Sequence, residues 1–195
     1  MAAKKILVKN HYLHSIPGGT LLSFGVFTGA NLVGALTLGV GPAMAYHLVA
    51  GATPGDCVTL TRLWLSDSLP KNSESRILGI VLRSLRSHTK TKFIITYSDP
   101  SAGHIGTIYQ ATGWIYTGIC VAMPLLDLGD GRHRHSRSVA QLFGTHSVRY
   151  LDKHGLSVRL VPQEGKHRYF YFLDRVWRSR LCVPEMDYPK TGGER

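Results

Sequence analysis

The stretch CVTLTRLWLSDSLPKNSESRILGIVLRSLRSHTKTKFIITYSDP, residues 57–100, contains the pattern that decides the fold. Its first nine residues, 57–65, alternate as a strand does and are rich in β-branched and aromatic side chains. From Asn72 to about Ser87, apolar residues recur at helical spacing. Residues 93–97 form a second strand-like run, which stops at Asp99-Pro100. A strand, a helix and a strand in this order predict an α/β fold in which helices cover a sheet.

The neighbouring segments extend this sheet in both directions. Upstream, Leu21 to Phe27 and Leu32 to Val40 are apolar runs, and residues 28–31 between them suit a tight hairpin connection. Downstream, residues 103–112 are typical of a short helix that ends at Gly113, and residues 114–121 of a further strand.

The N-terminal third has to be tested as a membrane segment, because no Lys, Arg, Asp or Glu occurs between Lys9 and Asp56. Glycines and prolines interrupt it, and no unbroken apolar run reaches the roughly 20 residues of a spanning helix. The polar residues 9–11 also exclude a signal peptide, and the three cysteines form no C-x-x-C pair. We therefore expect a cytoplasmic protein with free thiols and no membrane partner.

The composition indicates one globular domain with an anionic partner. The 195 residues are 44% hydrophobic, and 23 Lys and Arg against 12 Asp and Glu give a formal net charge of +11. Much of this excess lies between Arg132 and Arg180, a segment with eleven basic and three acidic residues. That segment also contains two short helical stretches, 138–143 and 145–154, and two strand-like runs, 156–161 and 168–173. The residues expected to contact nucleic-acid phosphates are Arg132, Arg134, Arg137, Arg149, Lys166 and Arg168.

Two side chains follow the strand at 93–97 and are candidates for chemistry. Asp99 lies at the strand's carboxyl end and Tyr109 in the next short helix, where open α/β sheets commonly present their ligand sites. A carboxylate can take a proton from an amine and a phenol can orient a substrate. The alternatives are a turn-forming Asp99 before Pro100 and a core tyrosine with a satisfied hydroxyl.

Arg62 stands inside an apolar strand, where an unpaired charge would be costly. It should therefore meet a carboxylate or an anionic ligand, and an internal ion pair with Asp99 is the rival interpretation. Residues at the start of the long helix could bind an anion, because a helix N-terminus offers free N–H groups; the alternative is a simple helix cap. The residues of this candidate cofactor cradle are Asn72, Ser73, Ser75 and Arg76.

Histidines raise the question of a metal. His11, His14 and His104 could, with Asp99, supply ligands for iron, zinc or manganese. No H-x-x-x-H helix or H-x-D pattern defines the set, so the metal remains an open alternative and His11 could equally be a hydrogen-bonded loop histidine.

Several residue runs, in this order and spacing, resemble the phage Mom-type DNA modification proteins. Residues 166–172 show a weaker resemblance. The matching runs are His11-Tyr12, Phe24-Gly25-Val26, Thr61-Arg62-Leu63-Trp64, Asn72-Ser73-Glu74-Ser75-Arg76, Tyr97-Ser98-Asp99-Pro100, residues 103–111 (GHIGTIYQA) and Trp114-Ile115-Tyr116.

The resemblance implies a GNAT-like acyltransferase fold, a mixed central sheet with helices on both faces and a basic helical insertion before the last strands. On this view residues 1–130 form the core, 131–183 the basic segment with the closing strands, and 184–195 a flexible tail. The implied activity converts adenine in double-stranded DNA to N6-carbamoylmethyladenine, which protects phage DNA from restriction. The implied catalytic residues are Arg62, Asp99, Tyr109 and His11. The base would have to leave the duplex, and Trp114 or Tyr116 could stack on it.

One departure concerns the donor of the transferred group. The Gln/Arg-x-x-Gly-x-Gly/Ala loop with which GNAT enzymes bind the acetyl-CoA pyrophosphate is missing, and residues 69–74 (LPKNSE) stand in its place. An acyl-CoA-like donor is therefore doubtful, and we expect a small-molecule donor that these residues do not identify. Two other classes stay open: an N-acetyltransferase acting on a small molecule or protein, and a non-catalytic basic DNA-binding protein.

Overall fold

The computed structural model describes residues 2–190, which form five α-helices and nine strands. The helices are α1 Ala2–Asn10, α2 Ser73–His88, α3 Thr107–Ala111, α4 Ser136–Phe143 and α5 Val148–Lys153. The strands are β1 Thr20–Thr28, β2 Asn31–Gly39, β3 Cys57–Leu65, β4 Phe93–Ser98, β5 Ile115–Ile119, β6 Leu125–Asp127, β7 His133–Arg134, β8 Arg159–Val161 and β9 His167–Phe172. Within these residues no helix is long and apolar enough to cross a membrane.

The main sheet has the strand order β1-β2-β3-β4-β9-β5. The predicted hairpin is confirmed as the antiparallel pair β1–β2, and the only parallel pair of this sheet is β3–β4, the two strands joined by α2. Strand β9, from near the end of the chain, enters between β4 and β5 and pairs antiparallel with both. Local periodicity predicts this strand but not its place in the middle of the sheet.

Both faces of the sheet are covered, as a layered α/β fold requires. On one face α2 buries Leu78, Val81, Leu82 and Leu85 against the sheet, in a cluster that also contains Trp114 and Tyr169. On the other face, aromatic side chains of β4 and β9 pack against the segments around residues 45–49 and 175–183. Helix α1, which the sequence patterns did not predict, packs mainly on β2.

Strands β3 and β4 separate towards their carboxyl ends. Their parallel pairing runs only from Cys57–Phe93 to Leu60–Thr96, although β3 continues to Leu65 and β4 to Ser98. A gap therefore opens between these two strands. A β-bulge at Thr61, where the β2–β3 register shifts, adds one residue to β3 just at this point.

Residues 125–161 form a small module with its own core. Strands β7, β6 and β8 make a three-stranded sheet on which α4 and α5 pack through Leu126, Val139 and Leu151. The two predicted helices around Gly144 are confirmed. The run at 156–161 supplies β8, which belongs to this module and not to the main sheet, so only β9 closes the main sheet.

The segment at 184–190 packs on the core, in contrast to the flexible tail predicted for residues 184–195. The N–H of Met186 donates to the carbonyl of Tyr116 at 2.9 Å, and the hydroxyl of Tyr188 donates to the carbonyl of Trp114 at 2.7 Å. Arg178 forms an ion pair with Glu185. Residues 191–195 of the predicted tail lie outside the described residues.

Replacing Gly106 by Ala should destabilise the fold far more than replacing Gly103. Both glycines have positive φ, +81° and +74°, but only a Cβ at Gly106 would meet a neighbour, the Tyr169 ring at 2.5 Å. We expect a loss of about 1 kcal/mol for Gly103→Ala from backbone strain alone, and of about 3 kcal/mol or more for Gly106→Ala. Urea unfolding of both variants measures the difference, and equal losses would contradict the steric argument.

Candidate functional site

A cleft of about 870 Å³ opens where β3 and β4 separate. Its walls come from the segment after α1, the bulged part of β3, the end of β4, and the loop leading into α3. All four residues predicted to be catalytic line this one cleft: His11, Arg62, Asp99 and Tyr109. They are up to 98 residues apart in sequence, and the fold brings them together.

Asp99 is held as a carboxylate by a neighbouring cation. Its Oδ2 lies 2.8 Å from Nζ of Lys166, and its Oδ1 accepts hydrogen bonds from the N–H and the hydroxyl of Ser101 at 3.1 and 2.6 Å. Burial by itself raises the pKa of Asp99, but the bonds from Lys166 and Ser101 outweigh it and lower the pKa below its ordinary value. The carboxyl is therefore ionised at neutral pH. Asp99 both forms the turn through its bonds to Ser101 and lines the cleft, so the two interpretations of this residue are compatible.

Tyr109 belongs both to the core and to the cleft wall. Its ring packs on Trp114 and Tyr169, with centroids 5.2 and 5.4 Å apart, and the residue is only 9% exposed. Burial raises the pKa of Tyr109, while a hydrogen bond with the Thr96 side chain acts in the opposite direction. The phenol therefore stays protonated and is a hydrogen-bond donor at neutral pH.

Arg62 reaches the cleft as a cation held by neutral groups. Its Nε donates to the carbonyl of Ser15 at 2.9 Å, and its Nη1 donates to the carbonyl of Thr61 at 2.6 Å. The rival ion pair with Asp99 is absent, since Asp99 pairs with Lys166, and within residues 2–190 Arg62 contacts no carboxylate. The positive charge is left for an anionic or carbonyl group of a ligand.

Aromatic rings line the cleft beside these polar groups. Tyr12 stacks on His11 with centroids 4.5 Å apart and lies 5.5 Å from the ring of His104.

The histidines of the cleft differ from free imidazoles in their surroundings. Burial is the largest cause that lowers the pKa of His11, to about 4, and the nearby Arg62, His104 and His14 lower it further. The described part of the chain brings no three His, Cys, Asp or Glu side chains close enough to hold a metal ion.

The stacking residues expected from the sequence lie elsewhere. Trp114 is fully buried in the core, and Tyr116 is 6% exposed with its hydroxyl bonded to His167. Neither lines the cleft. The aromatic residues that do are Tyr12, Trp64, Tyr97 and Tyr109.

The predicted anion cradle at the start of α2 is engaged with its own backbone. The hydroxyl of Ser73 donates to the carbonyl of Pro70 at 2.6 Å, and that of Ser75 to the carbonyl of Asn72 at 3.0 Å. Asn72 has a φ of +66° and Arg76 is exposed. Of this stretch, Glu74 lines the cleft, whereas Asn72, Ser73, Ser75 and Arg76 do not.

The six basic residues predicted to contact phosphates occupy different positions. Arg132, Arg137 and Arg149 are exposed on the small module. Arg134 forms a bidentate ion pair with Asp130, in which Nη1 and Nη2 donate to Oδ1 and Oδ2 at 2.7 and 2.5 Å. Lys166 pairs with Asp99 inside the cleft, and Arg168 donates to Thr117 on the sheet. The first three are thus the ones available for a phosphate backbone.

The stability of the protein should fall below neutral pH partly because of His11. In the unfolded chain its pKa returns to about 6.5, so between that pH and about 4 the unfolded state binds a proton that the folded state excludes. Stability from this source is complete above pH 6.5 and is lost as the pH falls towards 4. We expect urea unfolding of His11→Gln to show a weaker loss between pH 7 and pH 5 than the parent protein. An identical pH dependence would contradict the shifted pKa.

Comparison with known families decides where the chain belongs. A model of the Mom protein family matches residues 1–190. The chain belongs to this family. The methylcarbamoylase Mom of Escherichia phage Mu is 28% identical over 194 residues, which covers 96% of this chain and 80% of that protein. The resemblance noted in the sequence is therefore confirmed.

A solved structure supports the predicted fold class. Arabidopsis thaliana NAA60, solved in complex with a bisubstrate analogue, superimposes with a TM-score of 0.51 at 10% identity, covering 87% of this chain and 89% of that one. A GNAT-family acetyltransferase from Bacillus cereus gives 0.41 at 13% identity, covering 77% of this chain and 69% of that one. The mixed α/β, GNAT-like fold is confirmed.

Of the cleft residues, Tyr12 was missed as a site candidate from the sequence. Two others were named for different roles: His104, which contacts Tyr12, as a possible metal ligand, and Lys166, the partner of Asp99, as a phosphate contact. Tyr12 and His104 stand inside the runs that carry the family resemblance, so that signal was available. Lys166 looked like one more cation of the basic segment, and only the pairing of β9 with β4 brings it to Asp99.

Proposed function

We propose that the protein is a DNA-modifying transferase that converts adenine in double-stranded DNA to N6-carbamoylmethyladenine and so protects phage DNA from host restriction. Membership of the Mom family and the phage Mu relative named as a methylcarbamoylase support this proposal. The observation that carries it is the cleft, which collects Arg62, Asp99 and Tyr109 at the gap between β3 and β4. A non-catalytic DNA-binding protein would have no use for these three groups around one opening.

The chemistry requires the exocyclic amine of adenine to attack the carbon of the transferred group. The new N–C bond forms as the bond from that carbon to its carrier breaks, and the nitrogen then releases one proton. Asp99 is ionised and can accept a hydrogen bond from the N6 amino group, which orients its second hydrogen and lone pair. Because its pKa is low, Asp99 takes the proton only once the attacking nitrogen has become positively charged.

Arg62 and Tyr109 act on the donor side of the same reaction. The guanidinium stabilises negative charge that develops on the donor, and the protonated phenol donates a hydrogen bond to it. The donor is a small molecule that binds without a glycine-rich pyrophosphate loop, because residues 69–74 contain none. We place the reaction in the host cytoplasm, in keeping with three free cysteines.

Nucleoside analysis of host DNA tests the function directly. Expression of the protein should give a deoxyadenosine heavier by a carbamoylmethyl group, detected by mass spectrometry after enzymatic digestion. Cells that express the Asp99→Asn variant at the same level are the control. The proposal would be overturned if the DNA of both cultures is unmodified and the folded protein also fails to modify DNA when a phage-infected cell extract is added as the source of the donor. Acetylated polyamines or proteins in its place would favour an N-acetyltransferase.

The salt dependence of DNA binding should depend on the small module. If Arg132, Arg137 and Arg149 each meet a phosphate, replacing all three by Ala should make the log–log salt slope shallower by about 2–3 units. Three exposed basic residues of the core, Lys5, Lys71 and Arg83, provide a variant with the same change in charge. Titration of a labelled duplex at several salt concentrations compares the two. If the two triple variants have equal salt slopes, the DNA binds on a surface other than the small module.

A further inference from the structure

An exposed apolar loop stands at the mouth of the cleft. It joins β5 to β6 through residues 120–124, and Val121 is 91% exposed there. Met123 is 66% exposed, and Ile119 at the end of β5 is 61% exposed. Val121 and Met123 both line the cleft. Single exposed apolar residues are ordinary, but three within five residues beside a polar cleft form a patch that needs an occupant.

The loop is fixed at both ends and is therefore a preformed projection. The N–H of Cys120 donates to the carbonyl of Lys166 at 2.9 Å, and the side-chain amide of Gln163 donates to the carbonyl of Met123. Gly165 lies so close that an added Cβ would meet the carbonyl oxygen of Cys120 at 2.1 Å. The β8–β9 connection thus braces the loop from behind and leaves Val121 facing solvent.

Basic side chains lie along the cleft that this apolar patch borders. Lys166 lines the cleft and its carbonyl accepts the N–H of Cys120, and Arg137 bonds the carbonyl of Gly41, another cleft residue, at 3.4 Å. Arg132 is exposed on the same small module. An apolar tip among positive charges complements duplex DNA, in which stacked bases lie between two rows of phosphates. A second copy of this chain, with its formal net charge of +11, would match the charge poorly.

We propose that Val121, supported by Met123, is a wedge that enters the base stack of duplex DNA when the target adenine leaves it for the cleft. The proposal rests on the proposed function and adds the means by which the base becomes accessible. Extruding a base costs the free energy of its stacking and pairing. An apolar side chain in the vacated space recovers part of that cost, whereas a base that is already unpaired needs no wedge.

The test compares Val121→Ser with Val176→Ser on two substrates. Val176 is 70% exposed in the segment 175–180 and does not line the cleft, so it matches the chemical change. On a fully paired duplex we expect Val121→Ser to modify the DNA about tenfold more slowly than the parent protein does. Val176→Ser should modify it at the parent's rate. On a duplex with an abasic site opposite the target adenine, all three proteins should have the same rate.

A second readout needs no chemistry. With 2-aminopurine at the target position, binding of the parent protein should raise its fluorescence, and Val121→Ser should raise it much less at saturation. Equal losses of rate on both substrates, or no loss on either, would overturn the wedge. A change of oligomeric state in Val121→Ser by light scattering would also overturn it and assign the patch to a contact between copies. A fluorescence gain on the 2-aminopurine duplex, combined with no modified base on the adenine duplex, would instead count against the proposed function alone.

Discussion

Asp99→Asn should lower the rate of DNA modification by about 10²–10⁴-fold while leaving the affinity for duplex DNA unchanged. The amide has nearly the shape of the carboxylate, but it carries no charge and cannot take the proton that the attacking amine releases. It also turns one acceptor into a donor beside Nζ of Lys166, and in the proposed complex this donor would meet the amino group of adenine. Single-turnover formation of the modified nucleoside measures the rate.

Two further variants isolate the effect of this carboxylate. Asp130→Asn breaks an ion pair with Arg134 on the surface of the small module and should leave the rate as it is. Tyr109→Phe keeps the ring contacts with Trp114 and Tyr169 and removes only the hydroxyl with its hydrogen bond to Thr96, so a large loss of rate with a loss of about 1 kcal/mol in unfolding free energy is expected. Normal modification by both Asp99→Asn and Tyr109→Phe would remove these residues from the mechanism.

Arg62→Lys should reduce modification by about 10–100-fold although the charge is kept. The guanidinium bonds the carbonyls of Ser15 and Thr61 through two different nitrogens and still has N–H groups for a ligand. A lysine has one nitrogen, so it cannot hold both carbonyls and also present a fixed donor to the cleft. The rate at saturating DNA, measured beside the urea midpoint, separates activity from stability.

Arg86→Lys is the matched control for this substitution. Arg86 lies on α2, away from the cleft, and likewise binds neutral groups, with its Nε donating to the carbonyl of Leu173 at 3.1 Å. Both variants should lose about 1–2 kcal/mol of stability from altered hydrogen bonds, and only Arg62→Lys should lose activity. If the two lose stability and activity alike, Arg62 is a structural residue and not part of the site.

The sequence by itself determined the elements whose signals are local. Alternation and β-branched residues predicted β3 and β4, helical periodicity predicted α2, and the residues 28–31 predicted the hairpin. These features depend on neighbours a few residues apart, so a short window contains the information. The family resemblance then supplied the residues that line the cleft, although it did not show how they meet.

Only the tertiary structure decided which groups face one another. The bulge at Thr61 shifts the alternation of β3, so that Arg62 pairs with Thr37 and reaches the cleft while Leu63 joins the core. The insertion of β9 beside β4 places Lys166 against Asp99, where the sequence offered Arg62 as the rival partner. Each of these depends on strands that pair across tens of residues, and the energy of such pairing comes from packing that no local pattern records. The sequence therefore contained the side chains of the site, and the long-range pairing of strands set their partners and charges.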